Sequence, residues 1–139
     1  MGNHVAELVK RELPHTPNID IKEISAGGIE LIEEMMGYDK AIIIDAVATR
    51  GRVGTIHRLR PEQLKHTVHF TAPHRFNFAS AYQLGRHFAS RSMPKRVKIY
   101  GVEIEPRRDF TRGLSHKVSR AAQCLAEEII EDLIRINSK

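Results

Sequence analysis

The sequence predicts an α/β protein, a three-layer α/β/α sandwich built on a mostly parallel sheet. Two observations lead there. Ala41-Ile42-Ile43-Ile44 is an unbroken aliphatic run, the mark of a strand buried on both faces, as strands of parallel sheets are. Segments with period-two apolar spacing also alternate with segments at helical spacing, which favours parallel strands joined by crossover helices. At 139 residues the chain is expected to form a single domain, residues 1–139, long enough to bury a core.

The elements follow in order. In residues 3–13, Val5, Leu8, Val9 and Leu13 fall on one helical face, and Pro14 stops the pattern. Ile19, Ile21 and Glu23-Ile24 suggest a strand, and Ser25-Ala26-Gly27-Gly28 a turn. Residues 29–36 read as a short helix with Ile29, Ile32, Met35 and Met36 inward, closed by Gly37. The aliphatic strand spans 40–45, followed by a polar loop at 48–52. Thr55–Leu59 resembles a further strand, Pro61 opens a helical turn, and residues 66–71 suggest another strand. Asn77 is placed to cap a helix over 78–90 with Phe78, Ala81, Gly85 and Phe88 on one face, ended by Met93-Pro94. Val97, Ile99 and Gly101-Val102 form the last strand, and residues 105–114 a charged loop. The final helix covers 115–136, with Ser115 as N-cap and Val118, Ala121, Ala122, Leu125, Ile129, Leu133 and Ile136 at helical spacing.

Composition removes several classes of protein. No stretch approaches the ~20 apolar residues of a membrane span. Residues 1–13 are amphipathic and charged, unlike the apolar centre of a secretory signal. The single Cys124 rules out an intrachain disulfide and any multi-cysteine metal knot, which fits a cytoplasmic home. Cys124 itself, near the apolar face of the last helix, is expected to be a core thiol. The net charge is +5, with basic residues at Lys95-Arg96, Arg107-Arg108 and Arg112. Aromatic residues do not interleave with them, so a solvated face or a dock for an acidic protein fits better than nucleic acid. No glycine-flanked serine of the nucleophile-elbow type occurs.

The candidate chemistry centres on Asp45 and His74. Asp45 closes the aliphatic run, at the carboxyl end of a strand, where open α/β sheets bind ligands. His74 lies in a second loop, after Val68-His69-Phe70 and before a helical pattern. A carboxylate and an imidazole on adjacent strand ends are able to hold a metal or share a proton. The plainer alternative is a turn-capping aspartate and a solvated loop histidine. His66, His69 and His74 lack the paired spacing of structural zinc sites and read as surface histidines. Gly27-Gly28 stands before a helix and offers either a phosphate cradle or, more simply, a turn. Glu103 and Glu105 close the last strand, where they either touch the site or make turn and salt-bridge contacts.

Taken together, these segments resemble the maturation endopeptidases of nickel–iron hydrogenases. Gly37-Tyr38-Asp39-Lys40, the aliphatic run and Asp45-Ala46-Val47 are similar to one strand of that family. Gly54-Thr55-Ile56-His57-Arg58-Leu59 is similar to the strand that follows it. His74 with Asn77-Phe78 resembles the family's histidine loop. Tyr100 to Pro106, then Gly113-Leu114-Ser115, resemble its last strand and the approach to its final helix. The resemblance implies a phosphorylase/hydrolase-like sandwich and an enzyme that removes a C-terminal extension from a hydrogenase large-subunit precursor once nickel has been inserted. It implies Asp45 and His74 as metal ligands, nickel supplied by the substrate, and zinc or cadmium as substitutes. It also puts Gly27 and Gly28 beside the substrate groove, where Glu103 is a further candidate from its place at the end of the last strand.

One departure accompanies the match. The family begins with a strand and a glycine-rich loop bearing an acidic ligand, whereas this sequence opens at the helix that follows. The expectation is a natural start further upstream, with loss of the ligand as the alternative. A chain without that strand and acid is expected to bind metal weakly, to associate into homo-oligomers and to be inactive in processing. Two other functions fit a chain that has lost a ligand: a non-catalytic binder of the large subunit, or a generic α/β small-ligand module. A second departure is Ala72, where the family more often has a small hydroxyl residue two before the histidine.

Overall fold

The computed structural model describes residues 2–13, 17–24, 28–61, 76–105 and 115–137. Its elements are α1 (Gly2–Glu12), α2 (Gly28–Met35), β1 (Lys40–Val47), β2 (Ile56–Leu59), α3 (Phe76–Phe88), β3 (Arg96–Glu103) and α4 (His116–Asn137). Among the described residues the sheet runs β1-β3-β2. β1 and β3 pair in parallel, from Lys40 opposite Arg96 to Val47 opposite Glu103. β2 runs antiparallel to β3, so the sheet is mixed.

Each face of the sheet meets its own helix pair. Alternate residues of a strand point to opposite faces. Tyr100 and Val102, with Ile42, Ile44 and Ile56, pack with Val5 and Val9 of α1 and Val118, Ala122 and Leu125 of α4. Ile99, with Ala41, Ile43, Val97 and Leu59, packs with Ile32 and Met35 of α2 and Ala81 and Tyr82 of α3. The sandwich is therefore three-layered, as expected. Ion pairs anchor α4 on its side. Asp132 accepts from Lys40 and, at 3.2 Å, from Lys98, and Glu128 accepts from Arg58. Ser115 caps α4 as expected, its Oγ accepting from the Val118 amide at 3.3 Å. Gly37 closes α2 with φ +90°, and its amide donates to the Ser92 carbonyl at 2.8 Å.

Several local expectations are corrected. Residues 19–24 form no strand. Ile21 lies against the α1/α4 core instead, and a short apolar alternation fits an irregular segment laid on a core as well as it fits a strand. β1 extends two residues past Asp45, because Ala46 and Val47 keep pairing with Val102 and Glu103. Its residues 40–46 are half-buried and Val47 alone is fully buried, so the strand is not sealed on both faces. Asn77 lies inside α3, which starts at Phe76. Ile29, in the first turn of α2, and Phe88, at the end of α3, are exposed, by 64% and 78%. Phe88 stacks edge-on against His87 rather than entering the core. Cys124 is exposed because it sits about 100° around the helix from Leu125. The expected strand at 66–71 and most of the 105–114 loop lie outside the described residues.

Candidate functional site

The α2/α3 face of the sheet changes character along its length. Ala41, Ile43, Val97, Ile99 and Leu59 are apolar and covered by the helices. The next positions on the same face, toward the carboxyl ends of the parallel strands, are Asp45, Gly101, Glu103 and His57. In register, Asp45 and His57 both stand opposite Gly101, one from each neighbouring strand. Residues directly opposite share a face, so acid, glycine and imidazole form one row across three strands. Ordinary strand spacing puts the two flanking residues about 10 Å apart. Gly101 is needed there, since a Cβ would meet the Val47 Cγ1 at 2.9 Å.

Glu103 ends β3 and organises what surrounds it. Its amide donates to the Thr55 carbonyl and its carbonyl accepts from the Gly54 amide, each at 2.8 Å. The side chain is fully buried. Its carboxylate accepts from the Thr49 amide at 2.7 Å, from the Thr49 hydroxyl, and from His57 Nε2 at 3.0 Å. Burial pushes the Glu103 carboxyl up, but the two bonds from Thr49 and the one from His57 outweigh it, leaving the group below the usual carboxylate range. The loop after β1, which carries the chain away from Asp45, is thus clipped to the end of β3.

Asp45 is half-buried on β1 and Glu103 closes β3 within the same cluster of strand ends. Gly28 opens α2, whereas Gly27, His66, His69 and His74 lie outside the described residues. Among the described residues no three His, Cys, Asp or Glu side chains converge as a metal site would require. Sequence reasoning passed over His57 and Thr49. The available signal was a charge, Glu103, directly after the apolar Tyr100-Gly101-Val102, which requires buried donors nearby.

An α/β sandwich with acid and imidazole gathered at the carboxyl ends of its parallel strands carries its polar groups where open α/β sheets bind ligands. Comparison with known proteins narrows the class. The sequence profile of the hydrogenase maturation protease family HycI matches residues 3–132. The fold is similar to that of the hydrogenase maturating endopeptidase HybD from E. coli, with TM-score 0.72 and 21% identity over 97% of this chain and 85% of that one. It is similar to an endopeptidase from Escherichia coli solved in solution, with TM-score 0.64 and 24% identity over 94% of this chain and 78% of that one. A hydrogenase 2 maturation peptidase from a Thaumarchaeota archaeon aligns with TM-score 0.54 and 19% identity over 94% of this chain and 85% of that one. No curated protein matches the chain. The chain belongs to the hydrogenase maturation protease family, whose members are endopeptidases. No described helix is long and apolar enough to cross a membrane.

Proposed function

We infer that this protein removes the C-terminal extension of a nickel–iron hydrogenase large-subunit precursor after nickel has been inserted, with the substrate's nickel as the recognition mark. The observation that carries this reading is the family match across residues 3–132, which spans both Asp45 and His74. Asp45 and His74 serve as the ligands that meet the substrate's nickel, and zinc or cadmium substitute for it. Carboxylate oxygen and imidazole nitrogen suit a divalent first-row metal. Asp45 stands on a paired strand rather than on a free loop, so its carboxylate is held by the sheet. Gly28, which opens α2, and its sequence neighbour Gly27 border the groove that takes the extension.

The test is the gel mobility of a nickel-loaded large-subunit precursor before and after incubation with the protein expressed from its full reading frame. Asp45→Asn and His74→Ala are each expected to abolish the mobility shift while leaving the melting temperature within about 2 °C of the unsubstituted protein. The Asp45 side chain belongs to neither apolar cluster of the described residues. Full cleavage by either variant would remove that residue from the ligand set. Equal cleavage of precursors with and without nickel would remove the metal from recognition.

A further inference from the structure

Glu103 is the only buried charged side chain among the described residues. A fully buried carboxylate costs several kcal/mol in lost hydration unless donors satisfy it. Clipping a loop to a strand end does not demand that cost, since a neutral side chain also accepts hydrogen bonds. What a carboxylate adds is control over the imidazole it touches. An ionised carboxylate only accepts, so His57 must carry its proton on Nε2. In the neutral ring this leaves Nδ1 as a bare acceptor. The carboxylate is sealed, while the imidazole is 33% exposed. His57 is therefore a ring fixed from behind, in one tautomer, with a third of its side chain open to solvent. It stands in the row that begins at Asp45, with Gly101 between them. The backbones of the two flanks of that row stand about 10 Å apart, on either side of a residue with no side chain.

The geometry points to His57 as the proton-transfer residue of peptide cleavage, with Glu103 as the residue that positions it. This rests on the endopeptidase reading above. In the first half of the reaction Nδ1 of neutral His57 takes a proton from water as the water oxygen bonds to the scissile carbonyl carbon. In the second half the same proton passes from Nδ1 to the amide nitrogen as the carbon–nitrogen bond breaks. A carboxylic acid and an amine leave, and His57 returns to its neutral form. Glu103 stays ionised throughout, stabilising the cationic ring between the two transfers. Thr49 completes the carboxylate's hydrogen bonding and keeps it oriented toward the ring.

The deciding variant is His57→Gln. The glutamine amide is able to reproduce the Nε2–H bond to Glu103 but has no nitrogen that exchanges protons. Precursor cleavage is measured as kcat and KM, beside thermal melting, for the full chain and for His57→Gln, His57→Ala and Glu103→Gln. The expected result is a fall in kcat of about 100-fold in His57→Gln, with KM and melting temperature unchanged. Glu103→Gln is expected to lower kcat by about tenfold at unchanged KM. Cleavage by His57→Gln at the unsubstituted rate, with loss only in a destabilised His57→Ala, would overturn the proposal and reduce His57 to a partner for a buried charge. A fall in His57→Gln that follows its folded fraction would overturn it equally. Absence of cleavage by the unsubstituted protein expressed from its full reading frame would instead overturn the endopeptidase reading, and the proposal with it.

Discussion

Two carboxylates hold the sheet to its surroundings, and they do so by opposite means. Asp132, on α4, faces two lysines from β1 and β3 on one side of the sheet. Glu103, at the end of β3, faces a hydroxyl, an amide and an imidazole on the other side. Asp132 keeps some contact with water, whereas Glu103 has none. Two lysine ammonium groups suffice where solvent shares in satisfying the charge. Complete burial instead requires fixed donors in set directions, because nothing else replaces lost hydration. The first arrangement holds a helix. The second also fixes the geometry of the strand ends, and function gathers there.

The largest expected effect is that of Glu103→Ala. It leaves the Thr49 amide and His57 Nε2 buried without their acceptor and opens a void, at a cost of roughly 3 kcal/mol. Calorimetry should show a melting temperature lower by roughly 10 °C. A loss below ~1 kcal/mol would mean that water reaches these donors and that the two carboxylates do not differ as described.

Acid should separate the pair next. For Glu103 burial raises the carboxyl, but Thr49 and His57 bring it below its ordinary value of 4.5. For Asp132 burial also raises it, but Lys40 and Lys98 bring it below 3.8. A carboxyl lowered on folding stabilises the fold above its ordinary value, and that stability is lost as pH falls through the folded value. Melting temperature should therefore fall as pH drops below 4.5, and fall further below 3.8. Glu103→Gln should flatten the first part of the decline and Asp132→Asn the second. Identical acid profiles for both variants would erase the distinction.

Salt and surface substitutions carry the smaller effects. Asp132→Asn should cost about 1 kcal/mol, less in 1 M salt, where partly exposed pairs are screened. The contribution of Glu103 should not respond to salt. Arg58→Ala removes the more exposed ion pair with Glu128 and should cost no more than about 0.5 kcal/mol in urea titration.

The sequence displayed the sandwich more clearly than the site. The aliphatic run at 41–44, the alternation around Val97 and Ile99 and the long stripe from Val118 to Ile129 are local patterns, and each became its element. Ile29 and Phe88 failed because apolar spacing marks a helical face without saying where the neighbouring layer ends. Cys124 failed by one step around the helix. Asp45 was legible as an acid leaving an apolar run. The Thr49–Glu103–His57 cluster was not, because its members lie up to 54 residues apart on a loop and two strands. Only the pairing of β1 and β2 on either side of β3 brings them together.

That pairing also orders events in time. β3 is the central strand among those described, yet it is the last of the three in the chain. A nascent polypeptide that has already released Asp45, Thr49 and His57 from the ribosome still has no Gly101 to stand between them and no Glu103 to seat the imidazole. The rim therefore forms only once β3 has been synthesised and both earlier strands have it to pair with. Until then a partly made chain holds the residues of the site without their arrangement.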